Sequence, residues 1–210
     1  MFRSESELVE KLVSDLQNKY GIQYIVRELR SGNNIADVAY AADLIRENVI
    51  FDEYLNAYYY FSNVYNHKRV NLDKIEISNQ KFTRKFSRFL SDLEEQGYIK
   101  ISGNYVTTIK KIDTITKKFI AVEAKLSDWK AGLEQAYRYK QFADEVYVAI
   151  DSDYVCKVDK QIMKSQGIGL MSVSDKTLKI SLPAQKSKQV QLDVQYYIMD
   201  RFLMQLAKQS

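Results

Sequence analysis

Apolar positions along the chain fall into two rhythms, one near 3.6 residues and one of 2, and their alternation predicts the elements. In residues 4–18 (SESELVEKLVSDLQN), Leu8, Leu12 and Leu16 share a stripe with Val9 and Val13 behind a serine able to cap a helix, which predicts an amphipathic opening helix. GIQYIVREL and NNIADVAY read as two short strands joined at Ser31-Gly32-Asn33-Asn34. Residues 52–66 are tyrosine-rich and helical in period; after NHKRV and a short apolar stretch, Ser78 is placed to cap a long helix that stops at Gly97. In that helix Phe82, Phe86, Phe89, Leu90 and Leu93 form one face, while Lys81, Arg84, Lys85 and Arg88 recur at i, i+3, i+4 and i+7 on another. YIKI-SGN-YVTTI then predicts a hairpin, so helix, basic helix and hairpin follow in the order of a winged helix-turn-helix.

From Lys117 the rhythm becomes strand, helix, strand. KKFIAVEAKL predicts a buried strand, SDWKAGLEQAYRYKQFA a helix capped by Ser127 or Asp128, and DEVYVAI a second buried strand. A helix near 159–166, strands at IGLMSV and TLKISL and a last helix from about Asp193 to Lys208 complete the pattern. That last helix is apolar enough to close the core or to join a second copy in a homodimer. The expected fold class is α/β with a mixed sheet flanked by helices.

Composition narrows the chemistry. With one cysteine (Cys156, expected in or near the core) and one histidine (His67, expected on the surface), disulfide frameworks and multi-cysteine zinc sites are excluded and Ser-His-Asp catalysis is disfavoured. Any catalysis must rest on carboxylates and lysines, which favour hard, oxygen-seeking metals such as Mg²⁺ or Mn²⁺. No apolar run is long enough to span a bilayer and the charged start is unlike a signal peptide, so the expectation is a cytoplasmic protein with no membrane association. The net charge is only +4 across 210 residues, yet Lys68 to Arg88 holds seven Lys/Arg against Asp73 and Glu76. A polyanion should therefore meet the middle of the sequence, with Lys68, Arg69, Lys81, Arg84, Lys85 and Arg88 as the candidate DNA contacts.

The candidate chemistry lies outside that basic segment. Asp37 sits near the end of one expected strand, and Glu123 and Lys125 sit at i and i+2 of another, on one face of an apolar run. Burying a carboxylate and a lysine there costs desolvation, and carboxylates meeting at one point repel until a divalent cation joins them. A lone Glu-x-Lys triplet carries little information in a chain with 28% charged residues; the ensemble carries more.

That ensemble of an acidic first helix, Asp37 and Glu123-Ala124-Lys125 resembles the PD-(D/E)xK nuclease superfamily. Gln135 and Tyr139, at i and i+4 of the following helix, look like the Gln-x-x-x-Tyr motif of its RecB-like branch. The resemblance covers roughly residues 1–43 and 112–173. Ala36 stands where the motif's name has proline, and 86 positions separate Asp37 from Glu123, a gap filled by the winged-helix segment. The resemblance implies a restriction-endonuclease-like core, residues 1–43 and 112–210, with a DNA-binding winged-helix domain inserted at 44–111. It implies a Mg²⁺-dependent deoxyribonuclease in which Asp37, Glu123 and the Ala124 carbonyl ligate the metal and Lys125 orients or deprotonates water. Glu5 or Glu7 would hold a metal-bound water, Gln135 and Tyr139 would position substrate or metal shell, and Arg27 or Arg30 would meet a backbone phosphate. Duplex DNA is the expected substrate. A nuclease of branched or single-stranded DNA or RNA, and a DNA-binding regulator built on an inactive nuclease fold, are the alternatives.

Overall fold

The computed structural model describes residues 1–32, 34–77 and 80–209. Asn33 of the expected turn and Ser78, the expected cap, lie outside them. The first helix, α1 (Glu5–Tyr20), begins at Ser4, whose hydroxyl accepts from the Glu7 amide, and stops at Gly21, whose φ of +67° is the left-handed geometry of a glycine stop. Strands β1 (Tyr24–Ser31) and β2 (Asn34–Ala41) form an antiparallel hairpin. After a second unit come β6 (Phe119–Lys125), α4 (Trp129–Tyr139), β7 (Glu145–Asp151), α5 (Lys160–Ser165), β8 (Gly169–Val173), β9 (Leu178–Leu182) and α6 (Leu192–Leu206). Asp128 caps α4 by accepting from the Ala131 amide.

These strands make one six-stranded mixed sheet in the order β1-β2-β6-β7-β8-β9. Only β6–β7 and β7–β8 pair in parallel. Both faces are covered: α1 packs Leu8, Leu12 and Leu16 against one, and α4, α5 and α6 cover the other. β6 is accordingly buried along nearly its whole length, its charged Glu123 included. The fold is α/β with a six-stranded mixed sheet flanked by helices.

Between β2 and β6 lie α2 (Tyr54–Asn63), β3 (Arg69–Asn71), α3 (Gln80–Glu95), β4 (Ile99–Ser102) and β5 (Tyr105–Thr108), the strands forming a separate sheet in the order β3-β5-β4. Phe51, Tyr60, Phe61, Phe89 and Leu93 build its core, and Tyr196 of α6 joins that same core. Ile112 also belongs to it, one residue past the expected boundary. The last helix thus serves both cores: Phe202 and Leu203 pack under the large sheet while Tyr196 packs with Phe51 and Phe61. Cys156 is exposed in the turn after β7, contrary to expectation, because β7 ends at Asp151 and the chain leaves the sheet before reaching it. No helix among the described residues is long and apolar enough to cross a membrane.

One carboxylate fixes the junction of the two units. Asp200, fully buried on α6, accepts from Arg46 Nη2 at 2.6 Å and from the Ile50 and Phe51 amides at 2.8 and 2.6 Å. Arg46 is itself buried and also donates to the carbonyls of Asn48 and Asp113. Removing one partner of such a pair strands a charge and two amides without water. Asp200→Ala is expected to cost about 3–5 kcal/mol in urea denaturation, a penalty Arg46→Ala should share rather than add to.

Candidate functional site

The site is built where a ladder stops. β2 and β6 pair from Ala41–Phe119 to Val38–Val122, and one step further the register would set Asp37 opposite Glu123. No bridge forms at that step; Asp37 Oδ2 instead accepts from the Ala124 amide at 2.7 Å. The neighbouring hairpin is interrupted at the same level, since Glu28 and Asp37 are the missing pair between Arg27–Val38 and Leu29–Ala36. Glu28 has φ +52°, left-handed backbone that costs an L-residue roughly 1–2 kcal/mol. The kink inverts the strand's alternation: Val26 and Leu29, three apart, both pack on the α4–α6 face, as do Ala36 and Ala39. The hairpin tip thereby bends toward α4.

Glu123 is 2% exposed, with Oε1 2.8 Å from Lys125 Nζ and Oε2 against the Tyr139 hydroxyl. That hydroxyl also lies 2.5 Å from the Ile35 carbonyl, tying the hairpin tip to α4. A phenol has one proton to give. If Tyr139 donates to Ile35, the contact with Glu123 closes only when the carboxyl carries a proton. Burial, the largest influence, pushes Glu123 above the ordinary carboxylate range despite its hydrogen bonds with Lys125 and Tyr139, and Asp37 pushes it the same way. Asp37 is likewise raised by burial, with Glu5 and Glu28 adding to the effect and Ala124 and Lys125 opposing it. For Lys125, burial favours the neutral amine, but the hydrogen bond to Glu123 and the charges of Glu123, Glu5 and Asp37 outweigh it, so its net shift is upward.

The first helix contributes Glu5, whose Oε2 lies 3.5 Å from Lys125 Nζ. Glu7, the other candidate, is not brought to the site: its Oε2 accepts from the Arg3 amide at 2.8 Å while its own amide donates to Ser4, a capping arrangement that holds it at the helix start. From α4, Gln135 and Tyr139 face the same cavity of about 390 Å³, which Glu28, Asp37, Glu123, Lys125 and Arg138 also line. Gln135 Oε1 is buried with no hydrogen-bond partner among the described residues. Helix α4 lies close to β6 because residue 132 is glycine; a Cβ there would stand 3.1 Å from Lys125 Cγ and 3.0 Å from Val148 Cγ1. Sequence reasoning missed Glu28, Arg138 and Gly132. Counting the hairpin back from its turn sets Glu28 opposite Asp37, and Arg138, beside Tyr139, donates to Asn34 Oδ1 at 3.1 Å across the cavity mouth.

Asp37, Glu123 and the Ala124 carbonyl are the groups that would hold a hard cation. No group of three or more His, Cys, Asp or Glu side chains able to hold a metal occurs among the described residues. Two carboxylates and a backbone carbonyl leave most of an octahedral shell to water and substrate oxygens, the way Mg²⁺ usually binds. Asp37 Oδ2 is taken by the Ala124 amide, and the Gln135 amide oxygen has no hydrogen-bond partner among the described residues.

The candidate DNA contacts, Lys68, Arg69, Lys81, Arg84, Lys85 and Arg88, are all exposed, but folding places acids among them. Lys85 Nζ pairs with Glu53 at 2.5 Å, and Arg88 lines a 560 Å³ cleft with Asp52, Glu53 and Asp92. Arg69 stacks over Tyr105, 4.2 Å from the ring centroid. The basic strip is therefore less positive in space than along the sequence.

Raised carboxyls are a stability cost at neutral pH. The fold favours their protonated forms, so their contribution to stability is present at low pH and is lost as pH rises through their folded-state values. Asp37→Asn removes the charge and keeps an oxygen for the Ala124 amide. It is expected to raise the melting temperature at pH 7 by about 2–4 °C, the shift that 1 kcal/mol gives in a chain of this size. That gain should fade as pH falls toward the ordinary aspartate value of about 3.9; a calorimetric series from pH 3.5 to 8 checks it.

No protein-family model matches the chain. No curated protein matches it. Among solved structures, a protein of unknown function from Silicibacter pomeroyi is similar at TM-score 0.50 and 10% identity, over 100% of this chain and 90% of that one. At that identity the similarity concerns the fold.

Proposed function

We propose that the protein is a metal-dependent nuclease of the PD-(D/E)xK type that hydrolyses phosphodiester bonds in DNA. The observation that carries this is convergence. Asp37 and, 86 positions on, Glu123 with Lys125 meet Gln135 and Tyr139 of α4 around one cavity, and Glu5 of α1 lies 3.5 Å from Lys125 Nζ. No packing need accounts for burying Glu123 and half-burying Asp37 there, and both are raised by the desolvation that results.

In this reading Asp37, Glu123 and the Ala124 carbonyl hold Mg²⁺ or Mn²⁺, which supplies charge stabilisation to the phosphoryl centre and a more acidic water. Lys125, kept protonated by its acidic neighbours, orients the attacking water and offsets charge developing on the phosphate. Tyr139 holds Glu123 in place, Glu5 holds Lys125, and Gln135 offers an uncommitted amide to substrate or to a bound water. The segment from α2 to β5 would serve as a winged-helix unit on duplex DNA, with α3 carrying Lys81, Arg84 and Arg88 toward it.

The test is cleavage of supercoiled plasmid with Mg²⁺ or Mn²⁺, comparing wild type with Glu123→Ala and Lys125→Met, and with binding followed separately in Ca²⁺. Wild type should nick or linearise the plasmid, and each variant should bind normally and cut at least about 10²-fold more slowly. Binding by all three proteins without cutting of any DNA or RNA substrate would overturn the enzymatic reading in favour of a DNA-binding regulator.

A further inference from the structure

Beside the cavity, β1 and the end of α6 form an open groove of about 540 Å³. Its walls carry four cations, Arg27 and Arg30 from β1 and Arg201 and Lys208 from the α6 end, against one acid, Glu28. None of the four takes part in an ion pair among the described residues. That contrasts with α3, where Lys85 is paired and Arg88 lies among acids. The groove is held in shape by Gln205, one helical turn from Arg201, whose Nε2 donates to the Arg27 carbonyl at 2.5 Å. Glu28 belongs both to this groove and to the cavity holding Asp37 and Glu123, so the two depressions share a wall.

We propose that this groove is a track for the sugar–phosphate backbone of a nucleic-acid strand, leading the strand past Glu28 to the candidate site. The proposal rests on the nuclease reading for the strand's destination, though not for binding itself. An extended polyanion fits better than a small phosphate ester. The groove is open, its cations stand along both walls rather than converging on one point, and arginines such as the exposed Arg27 and Arg30 and the half-buried Arg201 recognise successive phosphates in this way. The C-terminal end of α6 carries partial negative charge, so attraction for phosphates there must come from these side chains. Together they give the core a grip on the backbone that does not depend on α3.

The experiment uses the full chain, a fluorescein-labelled 20-nucleotide DNA strand and its 20-base-pair duplex, and anisotropy in Ca²⁺ from 50 to 300 mM salt. Two variants are compared with wild type: Arg27→Gln/Arg30→Gln/Arg201→Gln/Lys208→Gln and, on α3, Lys81→Gln/Arg84→Gln. Circular dichroism and melting temperature check folding, and an all-lysine version of the three groove arginines preserves the charge. Each lost phosphate contact lowers the slope of log affinity against log salt by about 0.9 on duplex and 0.7 on single strand. The groove variant should lose up to about 3.6 units of slope on duplex and about 2.8 on single strand, and at least tenfold in affinity at 150 mM salt, with the lysine version near wild type. Unchanged slope and affinity in the folded groove variant, or no binding by wild type, would overturn the proposal. Plasmid cleavage keeps the two readings apart: cutting by wild type with an unaffected groove variant removes only the groove, whereas loss of binding in the groove variant with no cutting by wild type removes only the nuclease.

Discussion

A carboxylate inside a sheet covered on both faces is the constraint around which this structure is arranged. Glu123 is 2% exposed in a strand that is otherwise apolar from Phe119 to Ala124, so every polar atom near it must be answered locally. Lys125 answers one oxygen and Tyr139 the other; Glu5 answers Lys125, and Ile35 answers Tyr139. Each contact recruits a different element, so α1, the β1–β2 hairpin and α4 are all positioned by one buried acid. Asp37 extends the cluster by taking the Ala124 amide at the level where its own ladder ends.

The second unit is attached by the same kind of chemistry. Asp200 gathers Arg46 and two backbone amides where the chain leaves the large sheet, and α6 carries that carboxylate between two cores. Burial raises the Asp200 carboxyl even with a guanidinium beside it. Under the proposed function, in which one unit grips the substrate and the other acts on it, such an attachment limits misplacement, about 1 Å of which costs heavily in reactions that depend on positioning.

Much of the fold was legible in the sequence because its elements are strongly periodic. The leucine stripe of α1, the run from Phe119 to Lys125 and the i, i+4 pair Gln135 and Tyr139 all lie where their spacing puts them. The choice between Glu5 and Glu7 was not legible, since both occupy the first turn and only the capping bond to Arg3 removes Glu7. Glu28 was hidden because nothing in a strand pattern announces one left-handed residue. The pairing of Lys85 with Glu53 spans 32 positions and that of Arg46 with Asp200 spans 154, and long-range pairs of charges leave no trace in local pattern. The same holds for the groove, whose cations come from the two ends of the chain.

The most direct measurement is the stoichiometry of Mn²⁺ binding by isothermal titration calorimetry, with and without a bound non-cleavable phosphorothioate strand, for wild type, Asp37→Asn and Glu123→Gln. One ion per chain, bound by wild type and lost in both variants, is the result expected if buried Glu123 and half-buried Asp37 exist to hold a cation. Equal binding in all three proteins, or none in wild type even with the strand present, would contradict it.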